Sequence, residues 1–250
     1  MTALTAASPL KLLTPKNHGH AAWLYTTSYG GGLVDGDHLG LELQVGAGAA
    51  LYATTQASTK VYPGAASQSV TADVGDDALL IGLPDPVVPF AGARYRQRAD
   101  VRLGARSSLV WLEALTAGRT ARGERWDADL YRSHTRVERD GLLFALDGLV
   151  LDPAQGPLAA RLGRFDALAT LLVLGPSTAA LRAHVLAGAT TRGEVLIAPS
   201  PLGDDGAVVR LAATGAEALA RALHGLLAPL PELLGDDPLS RKIVSADAMR

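Results

Sequence analysis

Residues 30–62, GGGLVDGDHLGLELQVGAGAALYATTQASTKVY, open with three glycines and a Gly-Asp-His turn, then place Leu39, Leu41, Leu43 and Val45 at every second position. That spacing is the period of a half-buried strand. Gly46 and Gly48 mark a turn, and a second apolar run around Leu51 and Ala53 leads into the polar segment 54–60. Two strands bracketing a tight turn read as a hairpin. Its polar residues gather at the two ends, Asp35, Asp37 and His38 before it and Gln56, Thr59, Lys60 and Tyr62 after it.

On either side the chain continues as short strands. Residues 1–20, with two Pro, two Lys and two His, read as a loose arm into a strand at 22–27. Further strands follow at 67–74, 78–83 and 93–103, the last with Tyr95, Gln97, Ala99, Val101 and Leu103 on one side and an arginine row on the other. The three prolines of 84–90, PDPVVPF, predict a rigid, extended connector rather than a central strand. Residues 109–115 form an apolar run, and strands at 128–138 and 142–151 flank a turn at Asp140-Gly141.

The last hundred residues add helices. A buried strand at 168–174 precedes a helix from Pro176 to about Leu186, with Leu181 and Val185 inward and Gly188 as its stop. A hairpin, 195–199 with 207–211, leads to a second helix at 216–227, and the tail from Pro229 reads as partly loose. No linker and no repeat of fixed period stands out. The expectation is one mainly β domain over 1–250 with two helices in its C-terminal part, an α+β chain of many short strands.

Composition narrows function by exclusion. Charged residues make up 19%, below the roughly 25% of ordinary soluble domains, which predicts a large interior or extensive partner surfaces. Net charge is −2, so nucleic acid is not an expected partner, and with no apolar run of membrane length neither is a membrane. From Arg94 to Arg139 there are 11 Arg against 6 acids, either a solvated basic face or a docking surface for an acidic partner. There is no cysteine, hence no disulfide, thiolate ligand or cysteine nucleophile. With no apolar run of membrane length and no signal-peptide pattern, cytoplasmic residence is expected.

P-loop, dinucleotide, G-x-S-x-G and His-Glu-x-x-His signatures are all absent from the sequence, so an enzyme reading starts weak. Asp35, Asp37 and His38 form an oxygen and nitrogen cluster that suits nickel, zinc or manganese, or else the aspartates support a turn. Residues 56–62 either line a polar channel or satisfy backbone groups at a strand end. In 118–126, GRTARGERW, Arg119, Glu124 and Arg125 form an internal ion-pair network or meet a partner carboxylate.

The ordered motifs Gly31-Gly32-Leu33-Val34 with Gly36-Asp37, Thr54-Thr55-Gln56-Ala57-Ser58-Thr59-Lys60-Val61-Tyr62, Pro84-Asp85-Pro86, Pro89-Phe90, Tyr95 with Gln97, and Gly118-Arg119 leading to Gly123-Glu124 resemble the urease accessory proteins of the UreD/UreH family. The resemblance covers about residues 9–152. It implies a nonenzymatic scaffold with a stacked, β-helix-like body and two helices. Its implied partners are the urease apoprotein, the helical accessory protein UreF and, through UreF, the GTPase UreG, with nickel in transit and no tightly bound cofactor. On that reading Asp37, with Asp35 and His38, lines or gates the metal route, while Gly31, Gly32, Gly36, Gln56, Thr59, Lys60 and Tyr62 shape the passage beside it. The competing reading is a metal-dependent hydrolase built on Asp35, Asp37 and His38, with His18 or His20.

Overall fold

The corner at Val45-Gly46-Ala47-Gly48 recurs at Val74-Gly75-Asp76-Asp77 and at Leu103-Gly104-Ala105-Arg106. In the computed structural model, which describes residues 3–190 and 193–239, these corners stack on one another. Gly75 donates its N–H to Val45 at 2.8 Å and Gly104 to Val74 at 2.9 Å. A Cβ on Gly75 would stand 2.8 Å from the Ala47 nitrogen, so the close stacking itself requires glycine.

Each corner sends the chain from one sheet to another. β1 (Leu10–Leu13) pairs antiparallel with β2 (Ala22–Ser28), and β3 (His38–Val45) begins the second sheet. The next coil runs β4 (Ala50–Thr55), β5 (Thr59–Val61), β6 (Gly64–Val74), and the one after it β7 (Leu79–Gly82), β8 (Val87–Pro89), β9 (Ala93–Leu103). β10 (Ser108–Thr116) and β11 (Leu130–Arg139) make a third turn, closed by β12 (Leu142–Leu151). The first sheet has the order β1-β2-β4-β7-β10, parallel from β2 to β10, and the second is β3-β6-β9-β11-β12, parallel from β3 to β11. Ala22, Leu51, Leu80 and Leu109 are successive Cα partners, 29 residues apart at each step. The architecture is a solenoid of about three turns in which each coil pairs with its neighbours.

The C-terminal part adds α1 (Leu158–Leu162), β13 (Ala167–Leu174), α2 (Ala179–Ala187), β14 (Val195–Leu202), β15 (Gly206–Ala213), α3 (Ala216–Leu226) and α4 (Leu230–Leu234). β13, β15 and β14 extend the first sheet in antiparallel fashion. The helices cover that sheet's outer face: Leu181 and Val185 of α2 and Leu219 and Leu223 of α3 share a core cluster with Trp23, Tyr52, Ile81 and Val110. The mainly β expectation with C-terminal helices holds.

Several expectations fail for physical reasons. Residues 38–55 are not a hairpin: β3 and β4 lie in different sheets, because their ladder partners are a coil away rather than across the turn. A repeat does exist, hidden because its coils share corners and apolar phase and little else. The N-terminal arm contains β1, and the proline-rich connector contains β8, bonded to β5 on one side and to β10 on the other. Val87 and Val88 keep their N–H groups, and Pro89 falls at the strand end where a missing donor is tolerated. The tail contains α4, whose Leu230 and Leu234, one turn apart, are fully buried. The described residues hold four short α-helices rather than two.

Candidate functional site

Between the sheets the apolar core is in two parts. One cluster holds Leu51, Leu80, Leu109, Trp111, Val74 and Leu103, and the other holds Leu33, Val61, Tyr95, Leu115, Trp126 and Tyr131. A polar band separates them. Along β10 the inward positions read Leu109, Trp111, Glu113, Leu115, and along β9 they read Val101, Ala99, Gln97, Tyr95, so each strand contributes one polar residue at the same level. Strand register extends the band sideways: Gln68, Gln97 and Ser133 are Cα partners across the second sheet, and Glu113, Thr170 and Arg210 across the first.

Glu113 is the centre of this band. It accepts a hydrogen bond from the Thr135 hydroxyl, which spans the gap between the sheets, and is also bonded by Ser133 and Gln97. Burial raises its carboxyl above the ordinary glutamate range, Asp147 adds to the rise, and the bonds from Thr135, Ser133 and Gln97 offset part of it. Two inter-sheet cavities share Glu113 as a wall. The first reaches Thr26, Thr55 and Asp85, where Thr55 donates to the Asp85 carboxylate at 3.1 Å and accepts from the Asp85 N–H at 2.8 Å. The second ends at Asp147 and Arg210, an ion pair at 2.6 Å. The band therefore carries a carboxylate near each end and one at its middle, with hydroxyl and amide groups between, and Arg98 and Arg210 stand in the walls of the two cavities.

The residues singled out in the sequence lie mostly elsewhere. The Asp37 carboxylate accepts the Val34 N–H at 2.8 Å and Asp35 accepts the Ala65 N–H at 2.7 Å, while His38 Nδ1 lies 2.9 Å from the Ser67 hydroxyl. None of the three lines either cavity, and among the described residues no group of three or more His, Asp or Glu is placed to hold a metal ion. Gly36 sits in this turn with φ near +87°, a conformation that excludes most side chains. The glycine motif does meet the second motif: Leu33 donates to Lys60 at 2.8 Å and Tyr62 to Leu33 at 2.9 Å, and a Cβ on Gly32 would stand 2.7 Å from the Lys60 carbonyl. Gly31, beside it, carries φ near +76° with open space around its Cα. Of that segment Thr59 lines the first cavity, whereas Gln56 and Lys60 are exposed and Tyr62 packs edge-on to Phe90 at 5.1 Å.

Arg119 stacks over Phe90 at 4.1 Å and donates to Glu124 at 2.9 Å, and Glu124 accepts the Ala91 N–H at 3.2 Å. The Arg119 guanidinium holds the Glu124 carboxyl below the usual range. Arg125 reaches Asp166 at 2.6 Å. These contacts fasten the segment by which the third coil is longer than the others, since Arg94 and Leu130 are Cα partners 36 residues apart.

Sequence reasoning passed over Glu113, Gln68, Ser133 and Thr135. The available signal was a lone carboxylate inside the apolar run 109–115, and Gln97 in the inward phase of its strand.

The model of the UreD urease accessory protein family matches residues 1–245. A protein of Sorangium cellulosum named urease accessory protein UreD is 53% identical over 242 residues, covering 95% of this chain and 78% of that relative. One of the same name from Anaeromyxobacter is 44% identical over 250 residues, covering 96% of this chain and 84% of the relative. Urease accessory protein D of Arabidopsis thaliana is 38% identical over 185 residues, 70% of this chain and 63% of the relative. The chain belongs to the UreD family of urease accessory proteins.

Proposed function

We propose that this chain acts in urease maturation as a cytoplasmic, non-catalytic scaffold that binds apo-urease and a UreF-type accessory protein, with a UreG-type GTPase joining through the latter, and that nickel in transit moves along the inter-sheet band. The observation that supports the route is Glu113, a carboxylate shared by two cavities and set between two apolar clusters. A divalent ion entering there meets one carboxylate together with hydroxyl and amide oxygens, a donor set suited to brief contact. It meets no cysteine, which would hold it longer.

Glu113 also couples the route to protons. Burial raises its affinity for a proton, so a cation bound at the carboxylate competes with H⁺ for that site. Asp85 supplies a carboxylate at one end, and at the other Asp147 is balanced by its ion pair with Arg210. Asp35 and Asp37, already engaged by backbone N–H groups, act on this account by holding the glycine turn against residues 60–62.

The maturation role is tested by deleting the gene in cells expressing the cognate urease cluster and measuring urease activity and nickel content. Loss of both, with recovery on complementation, is the expected result. Equal activation without the gene would refute it.

A further inference from the structure

Among the described residues β12 is the edge of the second sheet, hydrogen-bonded to β11 alone. Ten residues long, it holds no proline, and its one charged residue, Asp147, is tied to Arg210. Leu142 is 74% exposed, Leu146 59% and Leu143 55%. Other edges are blunted: β14 carries Pro199 and Pro201, and the N-terminal residues 3–10 flank β3 across a shared cleft. A long apolar edge with free backbone groups is a template for another strand.

The charge on the sheet face one and two strands inward of that edge says what kind of strand. On the outer face of the second sheet Val150, Arg132 and Arg96 are Cα partners in one row, and Arg94 follows one step along β9. Arg98, Arg102 and Arg136 are matched there by Asp100, Asp73 and Glu138. Arg94, Arg96 and Arg132 are exposed and make no ion pair among the described residues. The interleaved carboxylates and the leucines argue against a phosphate backbone and for a protein. Asp147 lies on the same strand, so a segment docked on β12 borders the second cavity.

The geometry points to the β12 edge, with Arg94, Arg96 and Arg132, as the docking site for an extended, carboxylate-bearing segment of a partner protein. The inference rests on the maturation reading for the proteins that supply the segment.

The test uses the purified chain with the purified cognate apo-urease and accessory proteins. Backbone amide exchange over 142–150 is expected to slow at least about tenfold in the complex. Charge reversal at Arg94→Glu, Arg96→Glu and Arg132→Glu together is expected to weaken assembly at least about tenfold, with the melting temperature unchanged. Assembly with unchanged exchange over 142–150 and full tolerance of the reversal would overturn this docking site while leaving the maturation reading intact. No assembly by the wild-type chain would overturn both. Concentration-dependent protection in the chain alone would assign the edge to a second copy, and binding of a 20-base-pair duplex lost on charge reversal, without protein capture, would assign the arginines to nucleic acid; each result contradicts the inference.

Discussion

Thr135 of β11 donates its hydroxyl to Glu113 of β10 across the space between the two sheets. The bond joins the sheets at a level where neither apolar cluster does, so a single carboxylate is both a structural tie and a polar interruption of the core. Burial of such a group costs stability unless its bonds compensate, and here the raised carboxyl pKa records incomplete compensation.

Glu113→Gln is accordingly expected to be more stable than wild type at neutral pH. With the folded pKa above the unfolded one, the native state binds the extra proton. Wild-type stability attributable to this group is full below the ordinary glutamate range and is lost as pH rises toward the raised value. Urea midpoints at pH 4 and pH 8 read this: the advantage of the amide grows with pH, and an advantage independent of pH would refute the assignment.

Gly82→Ala tests the wall of the first cavity. A Cβ there would stand 2.5 Å from the Trp111 ring, so the indole must shift. Overpacking of this kind destabilises by about 1–3 kcal/mol, and a blue or red shift of tryptophan emission should accompany the change in denaturation midpoint.

Leu80→Ala removes a fully buried side chain from the 29-residue ladder between Leu51 and Leu109. The expected loss is about 2–5 kcal/mol by chemical denaturation. A loss below about 0.5 kcal/mol, the scale of an exposed site, would contradict the stacked core.

Glu124→Ala frees Arg119 and the Ala91 N–H, loosening 118–126. The folded carboxyl is held low, so the pair's contribution is present above the ordinary glutamate pKa and lost as pH falls through the lowered one. Limited trypsin digestion should cut the variant at Arg119, Arg122 or Arg125 faster than wild type at pH 8.

The strands themselves were legible because period-two alternation is local. β9 shows it plainly, with Arg94, Arg96 and Arg98 outward and Tyr95, Gln97 and Ala99 inward, as expected. Helices α2 and α3 followed from Leu181, Val185, Leu219 and Leu223 in the same way. What failed was pairing. Leu51 and Leu80 meet through 29 residues of intervening chain, and nothing near Gly46 distinguishes a corner between sheets from a hairpin turn. The polar band between the sheets is illegible in the sequence for a related reason. Asp35, Asp37 and His38 are close in sequence, yet the two carboxylates are spent on backbone N–H groups, whereas Glu113, Gln97 and Gln68 come together only when three coils stack.

The most direct test of the nickel route is Glu113→Ala introduced into the chain in cells expressing the cognate urease cluster, with urease nickel content measured beside co-purification of the accessory complex. The account predicts that the complex assembles normally and that urease is recovered with most of its nickel missing. Fully nickel-loaded, active urease from cells carrying the variant would contradict a route past Glu113.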